Sequence, residues 1–277
     1  LRQDTGARGA ALGGSFGAWV DDVSALQYNP AGLSLLVKPE AQGTHIVLFE
    51  DTNFDFAGGG VPTSWGGLAA GYLRQGSSAF ERRSTPFDAA TGFSISQSAV
   101  LMGWGKAWTF DAAAPKTSLA LGVTAKSVRE VMDSASGSGL GADLGLLARA
   151  GSRWSLGVAC QNLAAPAPRL ASESIAYPRR WDFSPGASLG LSRELSARLG
   201  MNLSMVEHGK TSVGGGAELL YGRSAALRVG VKDSSVSTGV GVRFGNAGVD
   251  YASLLHTLGV AHVVTFIQRF GQTAQEL

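Results

Sequence analysis

Apolar residues alternate with small or polar ones, with a period of two, through most of the chain after residue 40. The segment 140–146, for example, reads Leu-Gly-Ala-Asp-Leu-Gly-Leu. The same scheme recurs in the segments 154–161, 198–205, 227–232 and 237–244. Because successive side chains of a β-strand point to opposite faces, this alternation predicts strands with one apolar face and one small or polar face.

The alternating segments are numerous and evenly spaced. We count about fourteen strand candidates, separated by turn signals rich in Gly, Ser, Asn and Asp. The chain from residue 41 onward offers roughly 17 residues for each strand with its turn, and a tilted membrane strand needs about 9–11. No strong helical pattern interrupts the series, which argues against a βαβ layout.

Composition indicates which way the two faces point. A soluble sandwich would carry many charges on its outer face, but only 16% of this chain is charged and 39 of its 277 residues are glycine. An outer-membrane barrel instead has apolar residues outside and polar residues inside, and its closure removes the sheet edges that lipid cannot satisfy. We therefore predict an all-β fold, a 14-stranded antiparallel transmembrane β-barrel; a soluble sandwich is the alternative.

The first 40 residues do not alternate. They are rich in Gly and Ala, which would allow close backbone packing inside a narrow lumen. Asn29 suits a helix N-cap and Pro30 suits the first helical position. We predict an N-terminal hatch at 1–40, which folds inside the lumen, and a barrel at 41–277.

The charges of the alternating region fall on the face opposite the apolar rows. We predict that they form a structural network in the lumen, with a substrate pathway as the alternative. This network comprises Lys126, Asp143, Arg198, Glu218, Arg228, Arg243 and Asp250. Asp21 and Asp22 of the hatch are expected to pair with lumen cations such as Arg198, Arg228 or Arg243.

The string Asp-Asp-Val-Ser-Ala-Leu-Gln-Tyr-Asn-Pro-Ala-Gly-Leu at 21–33, with the Gly- and Ala-rich 6–18 before it, resembles the start of mature FadL-superfamily barrels. The resemblance is closest to the shorter PorV/PorQ-like branch, and strand segments such as 141–147 and 156–163 extend it over nearly the whole chain. It implies a barrel in the cell outer membrane with the N-terminal segment folded inside. The hatch and gating residues that it implies are Asp21, Asp22, Asn29, Pro30, Ala31 and Gly32.

The two branches imply different functions. In the FadL branch the hatch gates diffusion of hydrophobic molecules, which leave through a lateral opening in the wall. In the PorV branch the barrel serves protein secretion, as a partner of a larger translocon barrel or an acceptor of secreted cargo. Because this chain is much shorter than FadL, our first interpretation is a PorV-like secretion accessory. The alternatives are a FadL-like channel, with a hydrophobic small molecule, lipid or detergent in its lumen, and a structural barrel without transport.

Other motifs do not indicate catalysis. Two matches to the nucleophile-elbow pattern, at 13–17 and 186–190, and one dinucleotide-type glycine pattern, at 137–142, lack the strand and helix context that those motifs need. The four histidines have no ligand spacing, and Cys160 falls on the apolar face. We predict no enzyme activity, no cofactor and no metal site. The net charge of +2 does not indicate a nucleic-acid partner, and the expected surroundings are outer-membrane lipid.

Aromatic residues fall mostly near the predicted strand ends. Such amphipathic rings form girdles at the two membrane interfaces of outer-membrane barrels. We assign Trp65, Tyr72, Trp104, Trp108, Trp154, Trp181, Tyr221 and Tyr251 to these girdles, with ordinary strand packing as the alternative.

Overall fold

The protein forms a closed barrel of fourteen antiparallel strands, which confirms the predicted fold class. The structure is a computed structural model and describes residues 4–48, 52–83, 85, 87, 89, 91–110, 117–170, 173–174, 176–257 and 259–271. The barrel strands are β1 (Glu40–Val47), β2 (Thr52–Thr63), β3 (Gly66–Arg82), β4 (Thr91–Thr109), β5 (Ser118–Met132), β6 (Ala135–Ala150), β7 (Trp154–Ala164), β10 (Arg180–Gly190), β11 (Leu195–Val206), β12 (Ser212–Tyr221), β13 (Ala225–Lys232), β14 (Ser235–Phe244), β15 (Ala247–His256) and β16 (Gly259–Arg269). A two-stranded sheet of β8 (Arg169–Leu170) and β9 (Glu173–Ser174) lies in the connection between β7 and β10.

Each barrel strand pairs with its neighbours in chain order, and the first strand closes the ring against the last. In this closing pair Glu40 lies opposite Arg269 and Val47 lies opposite His262. We call the end of the barrel where β1 begins and β16 ends the turn end, and the opposite end the loop end. The longest connection, residues 165–179, lies at the loop end.

The outward and inward faces follow the predicted alternation over most of the wall. On neighbouring strands Met102 is 63% exposed on the outer face, whereas Thr124 is 1% exposed on the inner face. Outward aromatic side chains mark the turn end, where Trp65, Trp108, Trp154 and Tyr221 are all exposed. The wall therefore presents an apolar belt outward and small or polar groups inward, as an outer-membrane barrel requires.

The apolar belt predicts that β6 will not tolerate a charge on its outward face. Leu144 faces outward opposite Val123, so Leu144→Arg places a cation on the lipid face. We expect a loss of about 2–4 kcal/mol if this site lies near the membrane midplane. Ser136→Arg is the matched control, because Ser136 lies on the same face of β6 but close to the loop end, where an arginine costs about 0–1 kcal/mol. Heat-modifiable gel mobility measures the folded fraction, and equal losses for the two variants would contradict the assignment of the belt.

Near the loop end of β1–β5 the alternation is inverted. Phe54 and Phe56 point inward and are buried, while Asp55 between them is exposed on the outer face. On β3 the inward residue is Leu73 and the outward one is Arg74. Strands β3, β4, β5 and β6 have 17, 19, 15 and 16 residues, against 8–12 for the other barrel strands. The wall is therefore tallest on the side where its outer surface becomes polar and its inner surface becomes apolar.

Residues 4–36, which we call the luminal segment, lie inside the barrel. They form α1 (Ala7–Ala11), α2 (Ala25–Tyr28) and a 3-10 helix (Pro30–Leu35), with Phe16 and Leu26 fully buried. The wall makes room for this segment with inward glycines, each placed so that an added Cβ would come within 2.6 Å of an atom of the segment. These are Gly67, Gly103, Gly105, Gly122, Gly145, Gly157, Gly186, Gly200, Gly214, Gly216, Gly230 and Gly239. Glycine is needed at these positions because the luminal segment approaches the wall too closely for a side chain.

Candidate functional site

A ladder of ion pairs joins the luminal segment to the wall. Arg8 donates to both carboxylate oxygens of Glu218 on β12, at 2.9 Å each, and to Asp21 at 2.6 Å. The Glu218 side chain has no exposed surface, so its charge is balanced by arginines rather than by water. Bidentate pairing of this kind fixes both the distance and the orientation of the two groups.

The ladder continues along the wall. Arg228 on β13 donates to Glu218 at 2.8 Å and to Asp250 on β15 at 2.6 Å. Arg243 donates to the other oxygen of Asp250, also at 2.6 Å. The pair between Arg228 and Asp250 crosses β14 above Gly241, where an added Cβ would come within 2.2 Å of the Asp250 carboxylate. A glycine at 241 is therefore needed for the ladder to cross this strand.

Two adjacent carboxylates of the luminal segment, Asp21 and Asp22, differ in their partners. Asp21 pairs with Arg8 of its own segment and lies 4.0 Å from Arg198, while Asp22 accepts from the Ser24 amide at 2.9 Å and forms no ion pair among the described residues. Burial opposes ionisation of Asp21, but the charges of Arg8 and Arg198 hold the pKa of Asp21 below its ordinary value. Of the lumen cations predicted for these carboxylates, Arg198 pairs with Asp21, whereas Arg228 and Arg243 pair with the wall carboxylates Glu218 and Asp250.

Asn29 attaches the luminal segment to a second strand of the wall, β6. Its Oδ1 accepts from the Ala31 amide at 3.1 Å, which caps the 3-10 helix that begins at Pro30. Its Nδ2 donates to the Leu146 carbonyl of β6 at 2.9 Å. Gly32 packs so closely that an added Cβ would come within 2.4 Å of the Val20 carbonyl. The Asn-Pro-Ala-Gly string is thus a tight, buried turn with a direct bond to a wall strand.

Lys126 and Asp143 form a second, separate charge cluster toward the loop end. Their ion pair measures 2.5 Å, and Asp143 also accepts from the Asn162 amide at 2.6 Å. Asn162 has a positive φ of 56° and lies where the register between β6 and β7 shifts. The charges that the sequence groups into one network therefore occupy two places in the lumen.

A cavity of about 390 Å³ lies beside this second cluster. On β3, β4 and β5 it is lined by the apolar side chains of Leu73, Ala99, Leu101 and Val128, with Gln75, Gln97 and Lys126 among them. The rest of the lining includes Gln27 of the luminal segment, Asp143, Gln161, Arg180 and Val206. We call this space the loop-end cavity; apolar side chains beside a set of polar groups that can orient a ligand suit a small-molecule site.

The connection from β7 to β10 contributes Tyr177 and Pro178 to the cavity. The Tyr177 hydroxyl donates to Glu130 on β5, which also accepts from Gln97 at 2.9 Å. Asn162 Nδ2 donates to the Pro178 carbonyl at 2.8 Å. These bonds hold the connection against the wall at both sides of the cavity.

The remaining motifs lie in places that do not suit catalysis. Residues 13–17 belong to the luminal segment, while 186–190 and 137–142 lie within β10 and β6. Cys160 is buried, in register between Leu144 and Trp181. Within the described ranges no group of three His, Cys, Asp or Glu side chains is placed to hold a metal ion. None of the helices in the described part of the chain is long and apolar enough to cross a membrane.

Sequence reasoning missed Arg8 and the inward aromatic pair Phe54 and Phe56. Arg8 is the only cation between residues 4 and 37, which is a signal for a specific partner inside a lumen. The Phe-Asp-Phe string at 54–56 alternates like the other strands, so periodicity alone does not reveal its inverted facing.

Comparison with known proteins gives structural but not sequence matches. No family model matches the chain, and no curated protein matches it. The Pseudomonas putida toluene transporter TodX has a TM-score of 0.64 at 10% identity, over 96% of this chain and 98% of that one. The CymD monoaromatic hydrocarbon channel has a TM-score of 0.64 at 11% identity, over 97% and 98%. A Pseudomonas aeruginosa FadL homologue has a TM-score of 0.58 at 12% identity, over 96% and 98%. The chain therefore has the fold of the FadL-type outer-membrane barrels.

Proposed function

We propose that this protein is a channel for hydrophobic small molecules in the cell outer membrane. Outer-membrane barrels have short periplasmic turns and longer external loops, so the loop end faces outward and the turn end faces the periplasm. In this orientation a molecule from outside reaches the loop-end cavity before it reaches the luminal segment.

The observation that carries the proposal is the inverted wall on β1–β5. Leu73 and Val128 turn toward the lumen in the part of the wall where Arg74 and Arg129 turn outward. In a lumen filled only with water, apolar side chains that point inward would not be stabilised. An apolar inner surface beside a cavity of about 390 Å³ instead suits a compact apolar ligand.

The structural neighbours support this proposal rather than the secretion interpretation. TodX is named a toluene transporter and CymD a monoaromatic hydrocarbon channel, and both align with nearly the whole chain. The fold alone does not fix the function, so the cavity remains the main argument.

The luminal segment serves as the hatch of this channel in our proposal. It is fixed to the wall at two places, by Arg8 at Glu218 on β12 and by Asn29 at Leu146 on β6. Asp21, Asp22 and the turn Pro30–Gly32 shape the segment between these attachments. Passage to the turn end then requires the hatch to shift, and a lateral opening in the wall is the alternative exit.

Blocking the cavity tests the proposed function. Ala99 faces the cavity from β4, and Ala99→Trp would fill much of it. We expect the affinity for toluene to fall by at least about tenfold, equivalent to ~1.4 kcal/mol, and uptake of labelled toluene by cells that express the protein to fall with it.

Ala125→Trp is the matched control, because Ala125 is an exposed outward residue on the neighbouring strand β5. If the protein binds no toluene, or if the two variants bind it equally well, the loop-end cavity is not the site.

A further inference from the structure

The outer surface carries a groove of about 350 Å³ where β1, β2, β3 and β16 meet. Gly43 and Ala57, which are register partners, form its floor, and Tyr72 and Phe266 stand on its two sides. No atom lies within 4 Å of the position of a Cβ at Gly43. Because Gly43 has no side chain and Ala57 has only a methyl group, the face that meets the surrounding lipid has a depression here.

Charged groups border the groove on the side of the loop end. His45 and Asp55 line the groove and pair at 2.7 Å on the outer surface, where their side chains are 55% and 58% exposed. Pairing lowers the cost of placing both groups on this face, and that cost is in any case small near a membrane interface. Along the outer wall toward the loop end, the apolar depression is therefore followed by an ion pair.

Arg74 on β3 faces outward at the same level of the wall as His45 and Asp55. It lies opposite Asp55 in the register and two residues beyond Tyr72 on β3, and it is exposed. Among the described residues it forms no ion pair or hydrogen bond, and the nearby Asp55 carboxylate is bound by His45. An exposed guanidinium thus lies beside the polar end of the groove.

We propose that this groove seats one phosphate-bearing lipid of the surrounding membrane. The acyl chain lies over Gly43 and Ala57 between the two aromatic rings, and the phosphate accepts hydrogen bonds from Arg74. Arginine suits this role because its planar fork of N–H donors matches two phosphate oxygens. The site is on the outer surface of the wall and does not depend on what passes through the lumen.

The proposal can be tested by adding either phosphatidylglycerol or diacylglycerol with the same acyl chains to the delipidated full chain. Native mass spectrometry then measures how much of each lipid the protein retains. The wild type should retain one phosphatidylglycerol. Gly43→Leu fills the floor and should reduce retention of both lipids. Arg74→Ser should reduce retention of phosphatidylglycerol by about tenfold, as for loss of a charge-assisted hydrogen bond, and should leave diacylglycerol unchanged.

Two matched variants serve as controls. Ala125→Leu enlarges an outward residue away from the groove, and Arg223→Ser removes an exposed arginine at the turn end; both should retain lipid like the wild type. Gel mobility confirms that every variant is folded. Wild-type retention of phosphatidylglycerol in Gly43→Leu or in Arg74→Ser would overturn the proposal. Dimers in place of bound lipid, lost in Gly43→Leu, would also overturn it and would identify the groove as a contact between copies of the chain.

Discussion

Deletion of residues 1–36 is expected to turn a closed barrel into a conducting pore. The luminal segment packs so closely against the inward glycines of the wall that its atoms occupy the space of their missing side chains. Without it, those glycines line an open, water-filled passage. Planar-bilayer recordings should show stable openings for the shortened chain and none of comparable size for the full chain.

A second variant separates gating from misfolding. Arg8→Leu combined with Asn29→Ala keeps the full length but removes the two attachments of the segment to β12 and β6. We expect intermittent openings from this variant. If both variants are folded by gel mobility and conduct no better than the full chain, the luminal segment is not the barrier.

Glu218→Leu is expected to destabilise the barrel by about 3–5 kcal/mol, the usual effect of removing one partner from a buried ion pair. The substitution leaves Arg8 and Arg228 without the carboxylate that both contact at 2.9 Å or less. Two buried cations then lie close together without the carboxylate between them. Chemical unfolding in detergent micelles, followed by intrinsic fluorescence, measures the change in free energy of unfolding.

Two further variants show whether the loss comes from the buried ion pair. Glu81→Leu removes a carboxylate whose side chain is 65% exposed, and we expect a change within about 0.5 kcal/mol. Glu218→Leu combined with Arg8→Leu should recover part of the loss, because an apolar pair replaces the uncompensated charge. A Glu218→Leu barrel as stable as Glu81→Leu would show that the ladder does not hold the wall together.

The sequence predicts the fold because alternation is a local property. Each strand carries its own period of two. Where the apolar belt surrounds the barrel, the residues that alternate with Leu144, Met201 or Val229 along the strand are small or polar. The lumen charges follow from the same rule, since an unpaired charge on the outer face would be costly.

The inverted wall could not be predicted in this way. Phe54, Asp55 and Phe56 alternate as regularly as any other strand, but their facing depends on whether that level of the wall meets lipid or water. This level is set by strand length and by the register between β1, β2 and β3, both of which are tertiary properties. The partner of Arg8 is hidden for the same reason, because Glu218 follows it by 210 positions.

The pairing of β1 with β16 has a consequence for biogenesis. The ring is incomplete until the most C-terminal strand has been synthesised, so the sheet keeps two free edges for as long as any of it is missing. The luminal segment precedes β1, so its covalent connection to the wall lies at the turn end and it enters the lumen from that end. Filling of the barrel therefore requires no break in the closed wall, whether it accompanies closure of the seam or follows it.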